Sequence, residues 1–574
     1  MFKKILIFLA IVVIAVLISI GIFIATFDIN AHRPAIAQAI SKAVGNAVEI
    51  DRLSLAWKGR IVVGVDGLRI IDQASGPKTI VMSVGHADAA IEFMPLIGGS
   101  VEIPSITIIQ PKVVIVREKS GPIKVSGVEV NKAAPQTKGA GAKTPGLSIT
   151  GFRIRSIEIR DGIVGVIDMT TDPASEIAMR KLDADIKNVS MAGPVDFSVK
   201  AALASDRQNF EIKGRSGGFV TGDIYVKDLT ARMDLGGLEK EAFFDAFPAL
   251  AKAGLIEPPA GEFKATIRNL EMAGGKLGDI SADAGLTGGK LVLRQVQVPV
   301  EDIAATLSIE NSEFSVKSFS ARLANGKVSA SARSKDIFTG PKTALNCKLD
   351  VEGLSAFILS VTGTKQNIDG NLSLSFDGSM EGFTQPEIVK SLAGGGTLSL
   401  DNGVIVDTNV MAASLNSLTL FPGILDMLSG FVPPDVKKSF GEKYTILKPL
   451  SRPFTVEGGY INLPDLVFET DVGDMRGDAT MSFTGDLTMK GAVEFTDSVS
   501  GSIEKAVPQT QYLRNANKLI EFPIAIKSGS GGFRVIPDLK YVGKKIAIGG
   551  ASDVAAGFLS KLAASADPSV APSN

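Results

Sequence analysis

The segment Gly214-Arg215-Ser216-Gly217-Gly218 comes closest in this sequence to a catalytic motif. It fits G-x-S-x-G, in which a strand-to-helix turn exposes a nucleophilic serine beside a histidine base. Strand-like residues flank the motif on both sides, and both histidines precede Ser216, against the serine, acid, histidine order of that fold. A glycine-rich hairpin turn is therefore the preferred interpretation, and a hydrolase using Ser216 is kept as an alternative hypothesis.

Metal and cofactor chemistry have little support in this composition. One cysteine, Cys347, and two distant histidines, His32 and His86, make a zinc site implausible. P-loop, HExxH, CxxC and EF-hand spacings are absent from the sequence. Acidic and basic residues balance at 61 and 60, so bulk charge does not indicate nucleic acid as a partner. We predict no catalytic residue, no metal site, no cofactor and no enzymatic activity.

The N-terminal residues predict a membrane anchor. Lys3-Lys4 precede an uncharged apolar run over 5–27 that would span roughly 35 Å as a helix, enough to cross a bilayer core. The positive-inside rule places residues 1–4 in the cytoplasm and the chain beyond Asp28 on the other side. A cleaved signal peptide fits less well, because its apolar run is normally about 7–15 residues.

Helical spacing follows the anchor and recurs in two later segments. Ile36, Ile40 and Val44 share one face of a predicted membrane-proximal helix, with Asn30 as a possible N-cap and Gly45 as a stop. The segment 238–254 places phenylalanines on a helical face despite Pro248, and prolines cut 410–450 into short apolar helices.

Period-two alternation dominates the rest of the chain and predicts many strands. Examples are Val101 with Ile103 and, after a parity slip, Ile106 with Ile108; Phe197 to Leu203; Val328 to Ala332; Leu372 to Phe376; Met481 with Phe483; and Leu487 to Phe495. Six dipeptides that tolerate positive φ predict hairpin turns. They are Asp66-Gly67, Asp161-Gly162, Asn325-Gly326, Asp369-Gly370, Asp377-Gly378 and Asn402-Gly403.

These patterns predict a mostly β chain with a few short amphipathic helices. The expected regions are a β region with a short initial helix over 28–130, a flexible linker or loop over 131–145, a central β-sheet region over 146–403, a C-terminal β region with the helical insert 410–450 over 404–563, and a disordered tail over 564–574.

The alternating strands leave an apolar face that must be buried against something. Ordinary sandwiches would bury it against a second sheet or helices, whereas a long curved sheet would keep it as a groove for acyl chains, and periodicity alone does not separate the two. The predicted lining residues of such a groove are Val199, Leu203, Leu372, Leu374, Phe376, Leu487, Met489, Val493 and Phe495.

Several stretches, in their order along the chain, resemble the AsmA family of Gram-negative inner-membrane proteins. They include FDINAHRPAIAQAISKAVGNAVEIDRLSLAW after the apolar run, ADAAIEFMPLIGGSVEIPSITIIQPKVVIV, LSITGFRIRSIEIRDGIVGVID, FSVKSFSARLANGKVSASA, GGGTLSLDNGVI and the closing FPIAIKSGSGGFRVIPDLKYV. The loop 131–145 and the apolar helical insert around 421–431 depart from the family pattern.

The resemblance implies an extended, curved antiparallel β-sheet groove behind an N-terminal transmembrane helix. It also implies a single-pass inner-membrane protein with a large periplasmic region, acting in outer-membrane biogenesis and moving phospholipid between inner and outer membranes. Envelope proteins are further expected partners, and a scaffold or chaperone-like factor for outer-membrane protein assembly is the alternative. The helices within 410–450 divide these two functions: a lid or membrane contact favours a lipid conduit, and a core cap favours a scaffold.

Overall fold

The computed structural model describes residues 27–44, 46–58, 60–72, 79–92, 101–117, 123–125, 128–129, 152–171, 174–189, 193–217, 224–273, 276–335, 340–365, 367–382, 384–483, 486–529 and 532–549. The anchor predicted over 5–27 (except Phe27), the loop over 131–145 and the tail over 564–574 lie outside these residues. Within the described part, every helix is too short or too polar to cross a bilayer.

The chain divides into two compact units. The first unit comprises Met1–Arg294 and Ser308–Asn311, and the second comprises Gln295–Leu307 and Ser312–Asn574. The border therefore lies inside the region 146–403 that alternation alone treats as continuous.

The first unit is built almost entirely from strands. Its helical elements are a 3₁₀ turn (Ile29–His32), α1 (Arg33–Val44), α2 (Lys240–Ala246) and α3 (Pro248–Lys252). Its strands are β1 (Ala47–Glu49), β2 (Arg52–Trp57), β3 (Ile61–Asp72), β4 (Thr79–Ile91), β5 (Val101–Arg117), β6 (Ile123–Val125), β7 (Val128–Glu129), β8 (Phe152–Asp168), β9 (Ser175–Val189), β10 (Val195–Leu203), β11 (Phe210–Gly217), β12 (Ile224–Asp234), β13 (Ala260–Ala273) and β14 (Lys276–Leu291). The next strand, β15 (Val300–Glu310), is divided between the units.

The second unit carries more helices. Its strands are β16 (Glu313–Leu323), β17 (Gly326–Lys335), β18 (Lys342–Val351), β19 (Ile368–Glu381), β20 (Ala393–Ile405), β21 (Thr445–Ile446), β22 (Leu450–Glu457), β23 (Tyr460–Glu469), β24 (Gly473–Ser482), β25 (Leu487–Phe495), β26 (Glu521–Gly529) and β27 (Gly532–Pro537). Its helices are α4 (Leu354–Thr362), α5 (Gln385–Ser391), α6 (Val410–Asn416), α7 (Ile424–Leu428), α8 (Pro434–Gly441), α9 (Asp497–Ala506), a 3₁₀ turn (Pro508–Leu513) and α10 (Leu539–Gly549). The prediction of a mostly β chain with a few short helices is confirmed.

Among the described strands, antiparallel pairing of consecutive strands is the general rule, although β1 also pairs with β3 and β20 with β22. Strands β5 and β8 pair in parallel, from Val101 opposite Phe152 to Arg117 opposite Asp168. Because parallel neighbours need a crossover connection, the segment 118–151, which contains the predicted loop 131–145, links the end of β5 to the start of β8.

The initial helix packs on the first strands of its own unit. Ile36 and Ile40 contact a small core formed by Val48, Leu53 and their neighbours. The predicted N-cap role of Asn30 is wrong: its amide accepts from the Leu53 N–H and donates to the Leu53 carbonyl, both at 2.8 Å, and this exchange ties the helix to β2. Asp28 caps the 3₁₀ turn instead, accepting from the Asn30 N–H.

Five of the six predicted hairpin turns lie inside strands. The pair Asn325-Gly326 does join β16 to β17, whereas Asp66-Gly67, Asp161-Gly162, Asp369-Gly370, Asp377-Gly378 and Asn402-Gly403 do not form turns between strands. Four of these five contain a positive φ, at Gly67, Asp161, Gly370 and Asn402. A residue with positive φ occurs in β-bulges as well as in turns, and the prediction failed because the sequence does not distinguish the two.

One set of these irregularities lies on neighbouring strands. Gln110 of β5, Asp161 of β8 and Lys181 of β9 all have positive φ, and the β8–β9 register shifts on both sides of Gly162. The Gln110 amide donates to the Asp161 carboxylate at 3.0 Å, and the Asp161 N–H donates to the Asp183 carboxylate at 3.0 Å. Bulges on adjacent strands bend a sheet, so we infer that the sheet of the first unit curves here.

The backbone at Asp161 gives a testable prediction. Replacing Asp161 (φ 53°) by valine should destabilise β8 by about 1–2 kcal/mol more than replacing it by glycine, because a Cβ is disfavoured in the left-handed region. Both variants lose the Gln110 contact, so their difference isolates the backbone effect. Hydrogen exchange of the β8 amides would measure it, and equal protection in the two variants would refute the bulge.

Candidate functional site

A row of aliphatic side chains runs across the sheet of the first unit. Paired residues of neighbouring strands lie on the same face, so the register alone defines this row. Its members, each paired with the next, are Leu53, Val65, Ala87, Ile108, Ile159, Ala184, Val199, Ile212, Ala231, Ala265 and Ala284. Each of these eleven strands therefore contributes a leucine, valine, isoleucine or alanine at the same level.

A second row lies beside the first on the same face. It passes through Leu55, Val63, Ala89, Ile106, Ile157, Ile186, Phe197 and Gly214, and then through Leu229, Ile267 and Ala282. Gly214 adjoins Leu229 so closely that a Cβ there would lie 2.9 Å from the Leu229 Cα. We call the two rows together the apolar face.

Most side chains of the apolar face are only half-buried. In the first row, Leu53 and Ala184 are buried, and the other nine side chains are neither buried nor fully exposed. Near its middle, Leu182, Ala184 and Ala201 pack against Ile159, Val164, Met179 and Val199, all of which are strand residues. The middle of the face therefore gains its packing from the sheet itself.

The other face of the same strands is polar. The residues that alternate with the apolar face form the paired series Asp88, Thr107, Glu158, Asp185, Ser198, Lys213, Thr230, Thr266 and Asp283. Ion pairs join neighbouring strands here: Arg160 lies 2.7 Å from Asp185, and Arg215 lies 2.8 Å from Asp196. The sheet thus keeps one face for water and presents aliphatic carbon on the other.

The second unit treats its apolar residues differently. Its core contains Met411 and Leu415 of α6, Ile424 and Leu428 of α7, and Val499 and Ile503 of α9, all at most 1% exposed, together with buried residues of β19 to β27. The prolines divide 410–450 into short helices as predicted, and these helices act as a core cap. The cap matches the observation that favours a scaffold for this part of the chain.

The predicted lining residues fall into two environments. Val199 belongs to the apolar face, and Leu203, Leu372, Leu374 and Leu487 are half-buried. Phe376, Met489, Val493 and Phe495 are at most 5% exposed in the helix-capped core. Among the predicted membrane-proximal residues, Ile36 and Ile40 pack on their own unit, and the side chain of Val44 is outside the described part.

Sequence reasoning did not place most of the apolar face in a site. Ile159, Ile212, Ala231 and Ala265 join it through strand pairing, a relation between residues far apart in the chain. The available signal was local: each alternates with polar neighbours on its strand.

The serine motif has the geometry of a strand. Ser216 lies in β11 opposite Val226 of β12, is buried, and donates its hydroxyl to the Tyr225 carbonyl at 2.9 Å. A nucleophile elbow needs a strand-to-helix turn with an accessible hydroxyl, and neither feature is present at Ser216. The predicted glycine-rich hairpin turn is not formed by Gly214 to Gly217, which belong to strand β11, and Gly218 lies outside the described residues.

His86 is the titratable side chain with the clearest structural partners. Its Nδ1 lies 2.6 Å from Asp66 and its Nε2 lies 3.1 Å from Asp88, all on the polar side of β3 and β4. The hydrogen bond to Asp66, assisted by the charge of Asp88, raises the pKa of His86 above its usual value, against an opposing effect of burial. This arrangement stabilises the β3–β4 pair when the ring is charged. Among the described residues, no three histidines, cysteines or carboxylates are placed to hold a metal ion.

The raised pKa of His86 predicts a pH dependence. Its stabilising contribution should be complete below about pH 6.5, the value of an unfolded histidine, and should decline as pH rises through the higher folded pKa. Because the ring is 34% exposed, the effect should stay below about 1 kcal/mol. Protection of the β3 and β4 amides from hydrogen exchange, taken relative to the intrinsic exchange rate at each pH, should therefore fall above about pH 6.5 in the parent chain and stay constant in His86→Gln. An identical pH profile in both chains would contradict this assignment.

The comparisons with known proteins agree with this architecture. The model of the AsmA family matches residues 1–277 and 262–466, which is most of the chain. The chain therefore belongs to the AsmA family, as its resemblance to that family predicted. No curated protein and no solved structure matches it.

Proposed function

We propose that this protein carries phospholipid acyl chains along the apolar face of its first unit, as an inner-membrane-anchored periplasmic protein of outer-membrane biogenesis. The observation that carries the proposal is the in-register row from Leu53 to Ala284, aliphatic on every strand it crosses and polar on the reverse. Membership of the AsmA family supports an envelope role.

The dimensions of the apolar face suit hydrocarbon. Ten inter-strand spacings of about 4.8 Å give roughly 48 Å, longer than the half-bilayer of roughly 15 Å that one acyl chain fills. Each methylene group removed from water contributes about 0.8 kcal/mol, so an aliphatic lining holds an acyl chain without specific polar contacts. The uniform lining would let a chain slide, because neighbouring positions offer nearly equal contact, while the head group stays in water.

The predicted anchor over 5–27 would hold the start of the chain at the inner membrane, with residues 1–4 in the cytoplasm and the β units in the periplasm. The 3₁₀ turn Ile29–His32 follows it, and Asn30 of this turn is hydrogen-bonded to Leu53 of β2. Lipid leaving the bilayer would therefore reach the first strands of the apolar face near Leu53. Phospholipid, the inner membrane and, at the far end, the outer membrane are the proposed partners.

A scaffold for outer-membrane protein assembly is the second candidate, and one observation favours it. Many apolar residues of strands β20 to β27 are buried under α6, α7, α9 and α10, in a closed core and not on an open face. Envelope proteins would be its partners in that case. The two candidate functions predict different ligands for the first unit, because a scaffold would not bind lipid there.

Two adjacent residues on opposite faces of β8 allow a direct test. A photoreactive amino acid at Ile159 should cross-link phospholipid in cells that express the full chain, and the same group at Glu158 should not. Lipid that surrounds the predicted anchor cannot produce this difference in labelling. Ile159 and Glu158 are adjacent in the chain, so they differ in the face of the sheet and not in distance from the membrane. Equal labelling at both positions, or none at either, would reject the lipid conduit, and protein adducts in the absence of lipid would favour the scaffold.

A charge on the apolar face should weaken the same signal. Val199→Asp should lower lipid cross-linking at Ile159 about tenfold. A charged carboxylate at the centre of a bilayer costs roughly 2.5 kcal/mol, and about half of this free energy is enough to weaken binding tenfold. Ser198→Asp, which places the same charge on the polar face of β10, is the matched control. Unchanged hydrogen exchange in both variants would show that each keeps the fold.

A further inference from the structure

The second unit contains a cavity lined wholly by apolar side chains. Its volume is about 110 Å³. The lining residues are Ile368, Ile405, Val410, Leu466, Phe468, Met475, Ala479, Leu487, Met489 and Ile526. Every lining residue belongs to the second unit, whereas the apolar face belongs to the first.

The cavity walls come from strands that are distant in the sheet. Pairing runs from β19 through β20, β22, β23, β24 and β25 to β26, yet Ile368 of β19 and Ile526 of β26 line the same space. The sheet must therefore curl so that its apolar face turns inward. Val410 at the start of α6 contributes to the wall from the cap.

Burial differs among the residues that line the cavity. Met475 and Met489 are at most 2% exposed, as is Ala479, whereas Ile368, Phe468 and Leu487 are only half-buried. A guest could therefore enter at the half-buried residues, and the almost fully buried residues, here called the inner residues, would close the space. Two of the inner residues are methionines, whose unbranched thioethers adapt their shape to a guest more readily than branched side chains.

The apolar lining of the cavity determines which ligands it can bind. A water molecule needs two to four polar partners, and this lining supplies none, whereas apolar cavities of about 150 Å³ stay dry and bind benzene or xenon. Because a methylene group occupies roughly the volume of a water molecule, about 30 Å³, the space fits three or four carbons of an alkyl chain. It is too small for a head group or a whole acyl chain.

We propose that this cavity receives the methyl end of a phospholipid acyl chain. The inference rests on the proposed function for its ligand, and assigns to the second unit a terminal binding site distinct from the apolar face. A chain end would enter between Ile368 and Leu487 and stop against Met475 and Met489, while the rest of the lipid stays outside.

The test uses the full chain reconstituted in nanodiscs and two phosphatidylethanolamine probes. One probe carries a diazirine at the methyl end of an acyl chain, and the other carries it beside the carboxyl group. Irradiation followed by peptide mass spectrometry should place the methyl-end adducts on residues 473–495, and the carboxyl-end probe should label this segment far less.

Variants that fill the cavity sharpen the test. Ala479→Leu should lower methyl-end labelling of residues 473–495 about tenfold, the loss expected when roughly two methylene groups can no longer be buried. Thr480→Leu, the adjacent residue on the opposite face of β24, should leave labelling unchanged. Leu466→Phe fills the space from another wall and serves if Ala479→Leu does not fold.

The outcomes separate this inference from the proposed function. Methyl-end adducts confined to the first unit would overturn the cavity assignment and leave the lipid conduit in place. Absence of phospholipid adducts anywhere would overturn both. Labelling of residues 473–495 that persists in the folded filling variants would also overturn the assignment, because the probe would then lie elsewhere on β24 and β25.

Discussion

Strand pairing forces the two residues of each pair onto the same face of a sheet, and most of the behaviour of this protein follows from that constraint. In the first unit the pairs join aliphatic residues to aliphatic residues from Leu53 to Ala284. A slip of one residue on any strand would move its aliphatic side chains to the charged face and bring carboxylates such as Asp185 among the isoleucines. The register therefore determines that the sheet has one apolar and one polar face. Burial of the large apolar area in turn favours this register over a shifted one.

Curvature is a second consequence of how the strands are paired. Ion pairs such as Arg160 with Asp185 bind neighbouring strands on the polar side, and left-handed residues such as Asp161 insert bulges into the ladder. A bulge inserts an extra residue into one strand relative to its partner and so bends the strand and the sheet. A bent sheet would shield the face on its concave side from part of the solvent without covering it. The half-buried state of Val199 and Ile212 on the apolar face agrees with this.

The two units share the same alternation of apolar and polar residues but bury their apolar residues to different extents. In the first, aliphatic rows remain half-buried and depend on the sheet for packing. In the second, short helices supply Met411, Leu415, Ile424 and Val499 to complete a closed core. Closing a core removes more apolar area from water and stabilises that unit, whereas a half-buried face leaves part of its apolar area in contact with water. The two units therefore differ in how much of their apolar area folding removes from water.

The sequence by itself determined the β class of the chain, the division of 410–450 into short helices by its prolines, and its place in the AsmA family, because these features depend on residues close together in the chain. It also identified which positions are apolar, Val199 and Val493 alike. It could not distinguish the half-buried environment of Val199 from the sealed environment of Val493. The dipeptide Asp161-Gly162 was likewise compatible with a turn or a bulge, and only the shifted register between β8 and β9 shows it to be a bulge. The tertiary structure decided these points, because burial, register and the presence of a covering helix depend on residues that are distant in the chain and meet only in the folded protein.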